Sequence, residues 1–152
     1  MTYPIDQTSY QLGVIFAFAE MVAIDLKKMA FSLPFSPRDY NRLARDAKRI
    51  AREEGVKIRL DKRLLTTDLF PEEFTRGKWV LIIYKSPEVL KTYLDLKSKK
   101  EQLLKENRYK GKERKAIAIG LGKLLSYKMD VIKEKLRKAG KWSPTGKGRG
   151  SQ

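Results

Sequence analysis

Arginines stand at positions 38, 42, 45, 49 and 52 of this chain, inside the stretch SPRDYNRLARDAKRIAREEG (36–55). Successive residues of an α-helix turn by about 100°, so this spacing lines Arg38, Arg42, Arg45, Arg49 and Arg52 along one narrow stripe. A planar guanidinium meets phosphate oxygens with two parallel N–H bonds, and five of them in a row suit a polyanion backbone. The opposing reading is the solvated back of a stable helix. Asp39, Asp46 and Glu53 run beside the stripe, setting Arg42 with Asp46 and Arg49 with Glu53 one turn apart, and Asp46 three residues before Arg49. Three acids cannot neutralise five arginines and Lys48, so the stripe keeps a net positive charge.

Two further segments carry the same chemistry. Residues 97–115 hold nine basic and three acidic side chains, among them Lys99, Lys100, Arg108, Lys110, Lys112 and Arg114, with Tyr109 placed to stack on a base. The end of the chain, GKWSPTGKGRGSQ, sets Trp142, Lys147 and Arg149 among glycines. Cations interleaved with aromatics and glycine are what single-strand and RNA contacts use. Lys85 and Ser86 form a separate candidate anion site, because a strand leading into a helix N-terminus offers free N–H groups beside a cation.

Enzymatic chemistry finds less support. The chain has no histidine and no cysteine, which removes thiolate nucleophiles and the usual zinc ligand sets. A metal-dependent nuclease needs clustered acids with a lysine at fixed offset, yet the strand-like run ends IIYK, with Ile83 where an acid would stand. The fragment GLGK (120–123) lacks the spacing and the hydroxyl of a phosphate loop and reads as helix-packing glycines. No catalytic residue, metal site or cofactor is expected.

The whole chain shows the same bias. Its 34 basic and 18 acidic residues give a net charge of +16, which points to a polyanionic partner, nucleic acid first. The abundance of charge also has a thermophile-like look, although that accounts for the number of ions and not for their imbalance. The imbalance is uneven: 1–37 carries two basic and three acidic residues, whereas 86–152 carries 19 and seven.

The elements that must position these residues follow from periodicity. Residues 8–31 read as one helix, apolar nearly all round, which other helices or a second copy must cover. That makes a homo-oligomer the expected alternative use of this segment. Its core run, LGVIFAFA at 12–19, is too short to span a bilayer and is wrongly flanked for secretion, so no membrane partner and a cytoplasmic location are expected. Ser36 and Pro37 start a second helix that ends at Gly55, with Asp39 completing a capping box. VKIRL (56–60) and WVLIIYK (79–85) read as strands of a small two-stranded sheet whose pairing direction stays open. Ser86 and Pro87 open a third helix reaching about 106, and a fourth is expected over 113–139. Within the third, Lys100 falls on the apolar stripe, where its stem would cover the core and its ammonium reach water.

Together these readings give a mostly helical α+β protein with about four helices. Residues 1–139 are expected as a single globular domain and 140–152 as a flexible basic tail. The expected function is non-enzymatic nucleic-acid binding through backbone phosphates, as in a subunit of a ribonucleoprotein. The alternatives are an assembly protein and an enzyme or binder for a small phosphorylated or nucleotide ligand near Lys85, Ser86, Asp61 and Asp68.

Overall fold

The apolar run near the start forms helix α1 (Gln7–Ala23) in the computed structural model, which describes residues 4–70 and 72–140. Asp6 caps it by accepting a hydrogen bond from the Ser9 amide at 3.1 Å. The helix stops ahead of Asp25, whose φ of 63° is left-handed and cannot continue a right-handed helix. The helix expected over 8–31 is therefore two elements, because the chain then turns into strand β1 (Met29–Phe31). Lys85 secures the turn between them, donating to the Ala23 carbonyl at 3.2 Å and pairing with Asp25 at 2.7 Å.

Helix α2 (Tyr40–Glu54) follows a single 3-10 turn at Pro37–Asp39 and ends at Gly55, whose φ of 75° is the left-handed turn glycine permits. The Ser36 carbonyl, not its hydroxyl, receives the Asp39 amide at 2.9 Å, so the expected capping box does not form. The small, apolar side of α2 packs where the sequence places it. Leu43, Ala47 and Ala51 share one core with Ile15, Ala19 and Val22 of α1.

The sheet has three strands instead of two. β2 (Lys57–Asp61) and β1 both pair antiparallel with β3 (Val80–Tyr84), in the order β1-β3-β2. Ile83 faces Ala30 on one side and Ile58 on the other. A central strand has both edges hydrogen-bonded, and Val80, Leu81, Ile82 and Ile83 are each no more than 2% exposed. This is why β3 reads as a continuous apolar run while β2, at the edge, alternates. Buried polar groups are matched: the Gln11 amide donates to the Leu33 carbonyl at 2.8 Å and accepts from its N–H at 3.0 Å.

The described residues fall into two compact units. The elements above, residues up to 64 together with 74–89, make the first; residues 65–73 and those from 90 onward make the second. The second holds most of α3 (Pro87–Lys105), with α4 (Gly111–Leu124) and α5 (Met129–Lys138). The single last helix expected over 113–139 is broken, since Ser126 takes a φ of 63° and the Tyr127 amide turns back to the Gly122 carbonyl at 3.0 Å. Tyr93, Leu103, Ile117, Leu121, Ile132 and Leu136 are buried in this unit. The Tyr93 hydroxyl accepts the Leu65 amide at 3.0 Å, which ties the 65–73 segment to α3. Among the described residues, no helix is long and apolar enough to cross a membrane.

The glycines of GLGK lie inside α4 as packing residues. A Cβ on Gly122 would meet Ile132 at 2.7 Å, whereas one on Gly13, in α1, would meet nothing within 4 Å. Gly122→Ala is expected to destabilise by about 1–3 kcal/mol through overpacking. Gly13→Ala is expected to stabilise by about 0.5–1 kcal/mol through helix propensity. Urea unfolding of both variants checks the contrast, and equal effects would contradict it.

Candidate nucleic-acid interface

Helix geometry delivers the arginine stripe to solvent. Arg38 on the 3-10 turn and Arg42, Arg45, Arg49 and Arg52 on α2 are all exposed, on the side away from buried Leu43, Ala47 and Ala51. From Arg42 to Arg52 the stripe runs about 15 Å along the axis, at 1.5 Å per residue. The expected ladder of ion pairs is mostly absent. Arg49 meets Asp46 at 3.2 Å, and among the described residues Arg38, Arg42, Arg45 and Arg52 have no carboxylate at ion-pair distance. In the same unit Lys48, Lys57 and Arg59 are exposed cations too. The alternation of β2 predicted that Lys57 and Arg59 face outward, although neither was singled out as a contact.

The basic segment of the second unit divides into paired and unpaired cations. Arg108 is spoken for, with Glu106 at 2.9 Å and Glu113 at 2.6 Å. Arg114 grips Asp68 with two parallel bonds of 2.8 and 2.7 Å, at a carboxylate whose side chain is only 10% exposed. Lys99, Lys110 and Lys112 are exposed and, among the described residues, unpaired. Tyr109 is half-buried, with the Lys100 ammonium and the Arg114 guanidinium each 5.1 Å from its ring centre. Its ring is thus engaged by two cations of the same unit instead of standing free to stack. Lys100 is half-buried as well and donates to the Thr66 carbonyl at 2.6 Å and hydroxyl at 2.9 Å. Its ammonium therefore turns inward instead of reaching for water, and burial holds its pKa below the ordinary value.

At the third candidate site the protein supplies its own anions. Lys85 is committed to Asp25 and the Ala23 carbonyl, and the Ser86 hydroxyl donates to the Glu88 carboxylate in the first turn of α3. Asp61 is buried and accepts the Arg63 amide at 2.9 Å. Glu20 is exposed on α1 and has no cation at ion-pair distance among the described residues. Among the described residues no group of three or more acids is placed to hold a metal ion. Trp142, Lys147 and Arg149 lie outside the described residues.

A cleft of about 760 Å³ opens in the second unit between the 65–73 segment, α3 and α5. Lys100, Leu104, Tyr109, Phe70, Lys135 and Lys138 are on its walls. Lys135 sits 5.2 Å from the Phe70 ring centre and 5.4 Å from that of Tyr127. The i, i+3 spacing of Lys135 and Lys138 on an amphipathic helix was the available sequence signal for this wall, but nothing local linked it to Lys100, 35 residues earlier.

No protein-family profile, curated protein or solved structure matches the chain.

Burial, with Asp68 nearby, raises the ionisation of Tyr109 above the ordinary 10.0, against a smaller lowering by Arg114. The stability gained from its neutral phenol is complete below pH 10.0 and is lost as pH climbs through the higher folded value. Burial raises Tyr127 as well, so ultraviolet titration of the folded protein is expected to show late-ionising tyrosines whose amplitude falls by one tyrosine in Tyr109→Phe. Unchanged late titration in that variant would contradict the assignment.

Proposed function

We propose that this protein binds nucleic acid without catalysis, holding backbone phosphates on the arginine face of α2, with the exposed lysines of the 97–115 segment as a second contact surface. One observation carries the reading: of five arginines presented on one face, only Arg49 has a carboxylate at ion-pair distance among the described residues, and Arg42 feels Asp6 only from farther off. Unpaired guanidinium groups in solvent cost little as isolated charges, but five together repel one another and gain when a polyanion displaces their counterions. Lysine would serve solubility equally well; the choice of arginine favours the bidentate geometry of phosphate. Affinity of this kind depends on salt and reads little sequence.

A second reading, assembly through α1, has one observation in its favour. Tyr10, Phe16 and Met21 of α1 and Ile24 just past its end are 52%, 47%, 38% and 61% exposed, outside the stripe of buried Gln11, Ile15, Ala19 and Val22. An apolar helix face of this kind is a common interface between copies. Light scattering on wild type and Phe16→Glu tests it: a dimer lost in the variant supports assembly, and a monomer at every concentration removes it.

For the leading reading the measurement is fluorescence-anisotropy titration of single-stranded RNA, duplex RNA and duplex DNA at several salt concentrations. Wild type is expected to bind more tightly as salt falls. On duplex DNA, Arg42→Gln/Arg45→Gln/Arg49→Gln is expected to lower the log–log salt slope by about 2–3 units, at about 0.9 per phosphate. Absence of binding near physiological salt, or an unchanged slope in the variant, would contradict the phosphate-gripping role of α2.

A further inference from the structure

The cleft of the second unit sets four cations, Lys100, Arg114, Lys135 and Lys138, against two acids, Asp68 and Glu72. Lys100 carries three N–H donors, of which Thr66 takes two. The third has no acceptor among the described residues, and no carboxylate lies at ion-pair distance from Lys100, Lys135 or Lys138. Lys135 is held beside two aromatic rings, which limits where its ammonium can go. Of the two acids on its walls, Asp68 is occupied by Arg114, and Glu72 acts on Lys100 from beyond ion-pair distance, which leaves the walls with an excess of positive charge. These groups are set for an anion, since the half-buried ammonium groups of Lys100 and Lys135 lack water's full solvation and gain most from a charged ligand, with exposed Lys138 beside them.

The size and walls of the cleft say what the anion carries. A volume of about 760 Å³ lies in the range of sites for small organic ligands and far exceeds what a bare phosphate fills. Leu104, 55% exposed, and Phe70 offer apolar surface for a flat body beside the lysines. We infer that this cleft binds a nucleoside phosphate, with the phosphate on Lys135, Lys138 and the third donor of Lys100, and the base against Leu104 and Phe70. Arg114 and Asp68 act here as positioning residues: their bidentate pair fixes the 65–73 segment and sets the Tyr109 ring beside Lys100. The ligand is either a free nucleotide or the unpaired end of a nucleic-acid strand, and the site is separate from the arginine face of α2.

The test is isothermal titration of the full chain with adenosine monophosphate, with adenosine and inorganic phosphate as controls. The monophosphate is expected to bind, and each half alone to bind more weakly. Lys135→Gln/Lys138→Gln is expected to weaken binding about tenfold or more, as loss of charge-assisted hydrogen bonds does. Leu104→Glu, at an exposed position where folding is safe, is expected to abolish it by placing a like charge against the phosphate. Arg42→Gln/Arg45→Gln/Arg49→Gln is expected to leave it unchanged, which separates this inference from the role of α2. Competition then identifies the source, because a duplex with an unpaired single-stranded end displaces the mononucleotide if strand ends are the ligand, and a blunt duplex does not. The inference is overturned if neither the mononucleotide nor the unpaired end binds, or if binding is indifferent to Lys135, Lys138 and Leu104.

Discussion

Thirty-four basic side chains against eighteen acidic ones leave sixteen cations with no carboxylate to answer them, and the fold must house that excess. An unpaired charge in an apolar core costs several kcal/mol or more, whereas one on a solvated helix face costs little. The structure meets this constraint by separating the two environments within single elements. In α2, alanine and leucine fill the buried side so completely that the opposite side is free to be arginine. Where cations approach the interior, each finds something polar or polarisable: Asp68 for Arg114, Thr66 and the Tyr109 ring for Lys100, Phe70 and Tyr127 for Lys135.

This sorting gives the cations different uses. Arg108, Arg114 and Arg137 are spent internally on Glu106 and Glu113, Asp68, and Glu134. Of the arginines of α2 only Arg49 is, on Asp46, and among the described residues neither Lys135 nor Lys138 has a carboxylate at ion-pair distance. Arginine is thus used both as a structural clamp and as an exposed fork, and sequence alone does not distinguish the two uses. The distinguishing feature is a carboxylate from elsewhere in the chain, such as Asp68, 46 residues before Arg114.

What could be read in advance was what depends on local periodicity. The mostly helical α+β class, α2 with its arginine stripe and its Gly55 end, the start of α3 at Pro87, and both predicted strands follow from repeats of 3.6 or 2 residues. Where local signals fail, so did the reading. β1 hides in an apolar stretch that continues the pattern of α1, and the break is made by Asp25 in a left-handed conformation instead of by glycine or proline. The break between α4 and α5 falls at Ser126, also left-handed, while the leucine and isoleucine spacing runs through it undisturbed. The cleft was invisible for another reason: its walls come from three stretches of chain, and the engagement of Lys100 with Thr66 and of Tyr109 with two cations exists only after they meet.

The proposed binding rests on contact between the exposed arginines of α2 and phosphate. Nuclear magnetic resonance of the arginine Nε–H groups during titration with a short single-stranded RNA tests it most directly, because each guanidinium reports for itself. Signals of Arg38, Arg42, Arg45, Arg49 and Arg52 are expected to shift and to slow their exchange with water, while those of Arg114 and Arg137, already bound to Asp68 and Glu134, stay in place. Binding that leaves the five α2-face signals unmoved would contradict that contact, and would make the stripe a solvated surface.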